Sequence, residues 1–323
     1  MSATIEEKIW NTIGQYPLEN MEIIVIYSNP PNSIVSKLRS TFEKFGVKVI
    51  TEKTRTGKAN AINLALKHCK GEICIITDSD SFLEKNAIKF LIESFSDDQV
   101  GAISGNLVYS SLSSTDKLHT IVFSKFKGGL KHYEALLDSC SYAPGELLAF
   151  RKSLIKDIPM DSLCDDYHIL LKIRSKGYRC VNDLRAIVHE TPPKTLLGKL
   201  KRTRRVTAGT LQEAARHRFM FFNPTFGTFG LLIFPIYILR IFLLPFFLIS
   251  LVINVVLILI YSFPPSILIM LILVIMVGLF ALKLVKPMFA LISYCILLIA
   301  GLLLGLVDWI KGDLSFVWEE CKT

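Results

Sequence analysis

The feature that most constrains this chain is a break in its hydropathy. From residue 225 to residue 307 it is almost continuously apolar, and only Arg240, Lys283 and Lys286 bring charge into that stretch. Residues 1–224 carry charged side chains throughout. An apolar run of that length calls for lipid, whereas the polar part is long enough to build one core of its own. Helix breakers divide the run. Residues 229–239 are short and closed by Arg240, while 241–261, 266–282 and 288–307 are each long enough to span, separated by Pro264-Pro265 and by a basic turn at 283–287. With the uncharged turn outside and Lys283 and Lys286 inside, the tail predicts three spans and an interfacial or re-entrant piece at 229–240. A crossing by 229–240 makes four spans, with those lysines on the wrong side.

The net charge of +9 is concentrated before the tail. Lys194, Lys199, Lys201, Arg202, Arg204, Arg205, Arg216 and Arg218 face a single acid, Glu213. Basic residues beside a membrane segment follow the positive-inside rule and attract anionic headgroups. Residues 195–216 place Leu196, Leu200, Thr203, Thr207 and Leu211 near one helical face, the pattern of an interfacial amphipathic helix; an ordinary surface helix is the alternative. Because the patch leads into an apolar tail, no nucleic-acid partner is expected. The seven cysteines are scattered, odd in number and without a Cys-x-x-Cys, so they read as small core residues in a reducing compartment. Residues 1–10 are too polar for a secretory signal. The expected protein is integral to a plasma or cytoplasmic membrane, organised as a cytosolic domain (1–193), a basic interface region (194–224) and a transmembrane domain (225–323).

Within the polar part, β-rich runs at 22–27, 47–50, 73–77 and 100–108 alternate with helical patterns at 6–16, 33–45, 60–70 and 86–94. Residues 117–139 and 167–176 also read as helices, and 147–150, 180–183 and 186–189 as extended segments. Strands alternating with helices predict a doubly wound, mostly parallel α/β sheet with its ligand crevice beyond the strands' carboxyl ends.

Asp78-Ser79-Asp80 stands at such an end. An isolated Asp-x-Asp is usually a turn or a cap, because Asp bonds its own backbone there. After the buried run at 72–77, two carboxylates one residue apart can hold Mg²⁺ or Mn²⁺ against a diphosphate.

Five segments in order resemble the membrane-bound family 2 glycosyltransferases of the cellulose and hyaluronan synthase branch. They are Gly57-Lys58-Ala59-Asn60-Ala61-Ile62-Asn63, Asp78-Ser79-Asp80, Gly145-Glu146-Leu147-Leu148-Ala149-Phe150-Arg151, Asp165-Asp166 with Gly177-Tyr178-Arg179, and Arg202-Thr203-Arg204-Arg205-Val206. The resemblance implies a GT-A-like fold and transfer of a sugar from a UDP- or GDP-sugar to a lipid-linked or glycan acceptor. It implies a cation on Asp80, with Asp78 on the nucleotide side, and Lys58, Arg202 and Arg205 around the diphosphate. Asp166 is the expected base of an inverting displacement, with Asp165 beside it raising its proton affinity. Helix capping explains Asp165-Asp166 equally well, and the two roles are compatible. His189 is a candidate third metal ligand, although a lone His is more often structural.

Three departures qualify the resemblance. The family's first strand, ending in Tyr-Asn-Glu, has no counterpart. The Asp-Asp expected after the second strand is Ser28-Asn29, and the Trp of Gln-x-x-Arg-Trp is Val206. A single-sugar transferase fits better than a processive polymerase. A polyprenyl-phosphate sugar synthase is the near rival, opposed by Phe82 where those enzymes carry Gln; a catalytically degenerate membrane scaffold is the reading from another class.

Overall fold

The computed structural model describes residues 2–109, 128–193, 195–262 and 285–312, with single positions 264, 267, 270, 274 and 314. In chain order come α1 (Ser2–Ile13), β1 (Ile23–Ser28), α2 (Asn32–Phe42), β2 (Val47–Glu52), α3 (Lys58–His68), β3 (Ile73–Ile76) and β4 (Phe82–Leu83). Then follow α4 (Ala87–Glu93), β5 (Val100–Tyr109), a helix at 128–137 (α5), β6 (Leu148–Arg151), α6 (Asp165–Ser175), β7 (Arg179–Glu190), α7 (Leu196–Arg216), α8 (Phe234–Ser262) and α9 (Val285–Lys311). The expected helix at 117–139 falls partly outside the described residues, and the extended segments at 180–183 and 186–189 are one long strand.

Strand directions correct the expectation of a mostly parallel sheet. β1 and β2 form a parallel pair of their own. The other five strands form a mixed sheet in the order β3-β6-β5-β7-β4, in which only β5–β7 is parallel. Alternation of strands and helices predicts parallel pairing only where every strand is entered through a helical crossover. β4 is reached from β3 by a tight turn, and β6 inserts antiparallel between β3 and β5. The main sheet therefore combines edges the sequence order does not reveal.

Three apolar clusters hold the fold. Leu38, Phe42, Val47 and Val49 close α2 onto the β1–β2 pair, joined by Ile9 of α1. Ile103, Leu147, Ala149 and Val188 form one side of the main sheet against Leu91 of α4. On its other side Phe150, Ile169, Leu170 and Leu211 continue into Phe229 and Phe234, so the start of the apolar tail belongs to the same core. Polar contacts reinforce that seam: Arg174 of α6 pairs with Asp138 at 3.0 Å and donates to the Phe226 carbonyl, and the Phe229 N–H donates to Asp138.

α7 starts where its sequence predicts, with the Thr195 hydroxyl accepting from the Gly198 N–H at 3.0 Å. Its second half is covered by protein, residues 207–214 being all buried, while Leu196 and Leu197 at its start are exposed. α9 lies against it at very close range. A methyl group added at Gly301 would stand 2.7 Å from the Thr203 side chain, and one at Gly305 would stand 2.5 Å from the Arg204 carbonyl. Arg204 and the buried Asp308 of α9 pair through two hydrogen bonds. Helical periodicity reported that α7 has a stripe to cover; it could not say that protein covers it.

In the tail, Arg240 does not end a helix. α8 runs through it and through Pro245, and the guanidinium sits 4.0 Å from the Tyr237 ring centre. Among the described residues, one stretch of this helix, Pro245–Ser262, is long and apolar enough to cross a membrane, and it is almost wholly uncovered by protein. Of the other expected spans, 288–307 falls within α9 and 266–282 lies almost wholly outside the described residues.

Candidate active site

β3 delivers Asp78 and Asp80 to the sheet's edge, and the turn that follows is pinned from below. The Ser81 hydroxyl donates to the Asp78 carbonyl at 2.9 Å, and the Thr77 hydroxyl donates to the Glu146 carbonyl at 2.8 Å. The Lys8 ammonium, brought in by α1, donates to Thr77 Oγ1 at 2.8 Å and to the Ser81 carbonyl at 2.6 Å. Burial pulls Lys8 down to about 7, partly offset by Asp78. Lys8 escaped sequence reasoning because it lies 70 residues upstream of Asp78, in an unremarkable amphipathic helix.

Lys58, in the first turn of α3, joins the metal motif to the expected base. Its ammonium donates to Asp78 Oδ1 at 2.8 Å and stands 3.7 Å from Asp165 Oδ2. Burial opposes its charge, but Asp165, Asp78 and Asp166 outweigh that and hold it protonated far above the ordinary lysine range. Asp165 and Asp166 open α6, where carboxylates suit the helix dipole, and the Tyr167 N–H donates to Asp166 Oδ1 at 2.8 Å. The cap position itself is Cys164, without a side-chain cap bond, so the two aspartates occupy the first turn rather than the cap. Burial first, then the Asp165 charge, push Asp166 up to about 7, with Lys58 pulling the other way. Gly145 makes this approach possible: a Cβ there would lie 3.0 Å from Lys58 Nζ and 3.2 Å from Asp166 Oδ2.

Behind these residues is a second charge cluster. Arg202 of α7 donates to Glu146 at 2.7 Å and to both oxygens of Glu190, at 2.9 and 3.2 Å. This guanidinium, expected to face a diphosphate, therefore has two carboxylates as partners. Glu190 is pushed up to about 7, with burial the largest cause, Arg202 opposing it and Glu146 adding to it. Neither Glu146 nor Glu190 stood out in the sequence as a site residue; the signal was an acid inside the family-like segment at 145–151 and another directly after His189. Arg205 donates to the Leu163 carbonyl at 3.3 Å, in the loop that leads into Asp165. His189 is paired in register with Phe82 and lies 3.4 Å from Glu84, which the sequence did not single out.

At the end of the β1–β2 pair, where the resemblance expected two aspartates, the Ser28 hydroxyl donates to Glu52 at 2.6 Å, and Asn60 donates to the same carboxylate. A carboxylate is thus present at this end, supplied by the neighbouring strand.

The donor chemistry at the strand mouth fits a divalent cation. Asp78 and Asp80 offer hard oxygens, and Asp165 Oδ2 is buried without a hydrogen bond, 3.7 Å from the ammonium it shares with Asp78.

Residues 2–158 match the family described as Glycosyl transferase family 2. The poly-beta-1,6-N-acetyl-D-glucosamine synthase of Staphylococcus aureus is 26% identical over 243 residues, and that of Staphylococcus epidermidis 24% over 233. The first alignment takes in 74% of this chain and 57% of the relative, and the second 70% and 55%. The chain thus spans little more than half the length of these relatives. Among solved structures, the mannosyltransferase PcManGT of Pyrobaculum calidifontis, in complex with GDP-Man and Mn²⁺, superposes with a TM-score of 0.71 at 22% identity, over 97% of this chain and 85% of that one. The chain carries a family 2 glycosyltransferase domain, with the GT-A-like fold and a mixed sheet.

Proposed function

We propose that this chain is an inverting, divalent-metal-dependent transferase that moves one sugar from a UDP- or GDP-sugar to a lipid-linked or glycan acceptor at a membrane. The observation that carries the reading is the Lys58 ammonium. It sets the donor-side carboxylate Asp78 and the base pair Asp165-Asp166 on either side of one positive charge.

The division of labour follows from the charges. Asp166 takes the proton of the acceptor hydroxyl, and an affinity near 7 suits a base working at neutral pH. Lys58 stays charged and faces the side where a diphosphate leaves. Asp80 and Asp78 would hold Mg²⁺ or Mn²⁺, and the bound ion supplies Lewis-acid neutralisation of the leaving diphosphate. Arg205 adds positive charge from α7, while Arg202 braces Glu146 and Glu190 behind the mouth. Glu52 with Ser28 and Asn60 offers polar recognition for the base. The mannosyltransferase complex with GDP-Man and Mn²⁺ supports nucleotide-sugar and metal use. The apolar stretch Pro245–Ser262 supports a membrane location with the catalytic domain on the cytosolic face, where anionic lipid meets the basic region.

The test is binding of a panel of nucleoside diphosphates to detergent-purified protein, with and without Mn²⁺. One nucleotide is expected to bind only with metal, and Asp80→Ala to weaken it at least tenfold. No binding across the panel by the unaltered protein overturns the proposal.

A further inference from the structure

Away from the strand mouth, α6 and α7 bring together His168, Glu213 and His217. All three are buried, Glu213 completely, and one donor atom from each lies within 4.8 Å of the others. Glu213 and His217 are four residues apart on one helical face, and His168 approaches from the neighbouring helix, with Nδ1 2.7 Å from Glu213 Oε2. We infer that this cluster is a metal site separate from the strand mouth, taking Zn²⁺ or a similar borderline cation through two imidazoles and one carboxylate.

The chemistry of the donors selects the ion. Two imidazoles with a carboxylate suit Zn²⁺, whereas Mg²⁺ and Mn²⁺ suit all-oxygen sites such as Asp78 and Asp80. His217 is already oriented as a ligand: its Nδ1 lies 3.0 Å from the Glu213 backbone carbonyl, which leaves Nε2 for the ion. A hydrogen bond from the second ring nitrogen is the usual way a metal-bound His is held. On binding, His168 would release the Nδ1 proton it shares with Glu213 and ligate through that nitrogen. Glu213 is supported from behind, Oε1 accepting from the Ser162 hydroxyl at 2.7 Å and from Arg216 at 2.6 Å.

Ionisation and charge agree with the geometry. Burial favours the neutral, metal-binding form of His217. Burial works against the Glu213 charge, but His168, Ser162 and Arg216 hold it below the ordinary carboxylate range. Arg216 also pairs with Asp161, so Glu213, Asp161 and Arg216 together leave one negative charge in surplus. Lys172 is the remaining cation felt by His217. Donors within 4.8 Å of one another are close to the separation that zinc bonds of about 2.0–2.1 Å set. The ion pins α6, which begins with Asp165-Asp166, to α7, which carries Arg202 and Arg205.

The test uses the full chain in detergent, stripped with a chelator and titrated with Co²⁺ and Zn²⁺. One equivalent of Co²⁺ is expected to bind with the visible absorption of a low-coordinate site, unmoved by added nucleoside diphosphate and retained in Asp80→Ala. His168→Gln and His217→Gln keep hydrogen-bonding groups in place and are each expected to weaken binding roughly tenfold or more. Zn²⁺ is expected to raise the unfolding temperature of the unaltered protein and of Asp80→Ala, and not that of the glutamine variants. Absence of stoichiometric Co²⁺ or Zn²⁺ in the unaltered protein, persistence in both glutamine variants, or loss in Asp80→Ala overturns the inference. If one glutamine variant does not fold, the other and the spectrum of the unaltered protein decide.

Discussion

The strand mouth and helix α7 handle charge in opposite ways. At the mouth two ammoniums, Lys58 and Lys8, stand among Asp78, Asp80, Asp165 and Asp166, and burial favours the neutral form of Lys8, so negative charge is left over. Along α7 three arginines meet carboxylates: Arg202 with Glu146 and Glu190, Arg204 with Asp308, Arg216 with Glu213 and Asp161. The lesson is that one basic segment and one acidic motif, similar as strings, do different jobs. In the proposed function the under-neutralised mouth takes a cation and the acceptor's proton. The matched helix holds neighbouring elements in place.

That contrast breaks most sharply at Asp166. Asp166→Asn is expected to lower kcat by about a hundredfold to ten-thousandfold with little change in donor KM, measured by steady-state sugar transfer. A change confined to KM would place Asp166 on the binding side instead.

Lys58→Met sharpens the contrast through pH. Asp166 must be ionised to act, so activity rises as pH passes through about 7. Lys58 favours that ionised form, and its removal leaves burial, Asp165 and Glu146 to raise the affinity further. The acidic limb of the kcat/KM profile is expected to move upward, with the rate below the limb falling about tenfold per unit of displacement. A limb that stays in place separates Lys58 from the base.

The smallest effect is expected on the matched side. Asp308→Ala leaves Arg204 without its α9 partner at a contact about a third exposed, so the loss is about 1–2 kcal/mol and a few degrees in Tm, read by thermal unfolding in detergent. Donor KM is expected to shift far less than in Lys58→Met.

Particular residues mark the limit of sequence reading. The strands ending at Ser28 and Ile76 and the helix over 195–216 are legible because backbone preference and alternation act over a few residues. The placing of Lys58 and Asp78 around one diphosphate was implied by the family-like segments; the contact of Lys58 with Asp165 was not. Lys8, Glu146, Glu190 and Glu52 were missed because each is an ordinary charged residue until the sheet brings it to the mouth. The direction of β6 was missed because hydrophobic alternation is the same in parallel and antiparallel strands.

By itself the sequence determined the division into a polar α/β part and an apolar tail, the strand carrying Asp78 and Asp80, and the helix opening with Asp165-Asp166. These depend on local propensity and on periods of two and 3.6 residues. Only the tertiary structure decided which charges are matched. It closed Arg202 onto Glu146 and Glu190, laid α9 on α7 through Gly301 and Gly305, and gathered His168, Glu213 and His217 between two helices. Coulomb energies and desolvation depend on distance and enclosure in space, and neither is written in the spacing of residues along the chain.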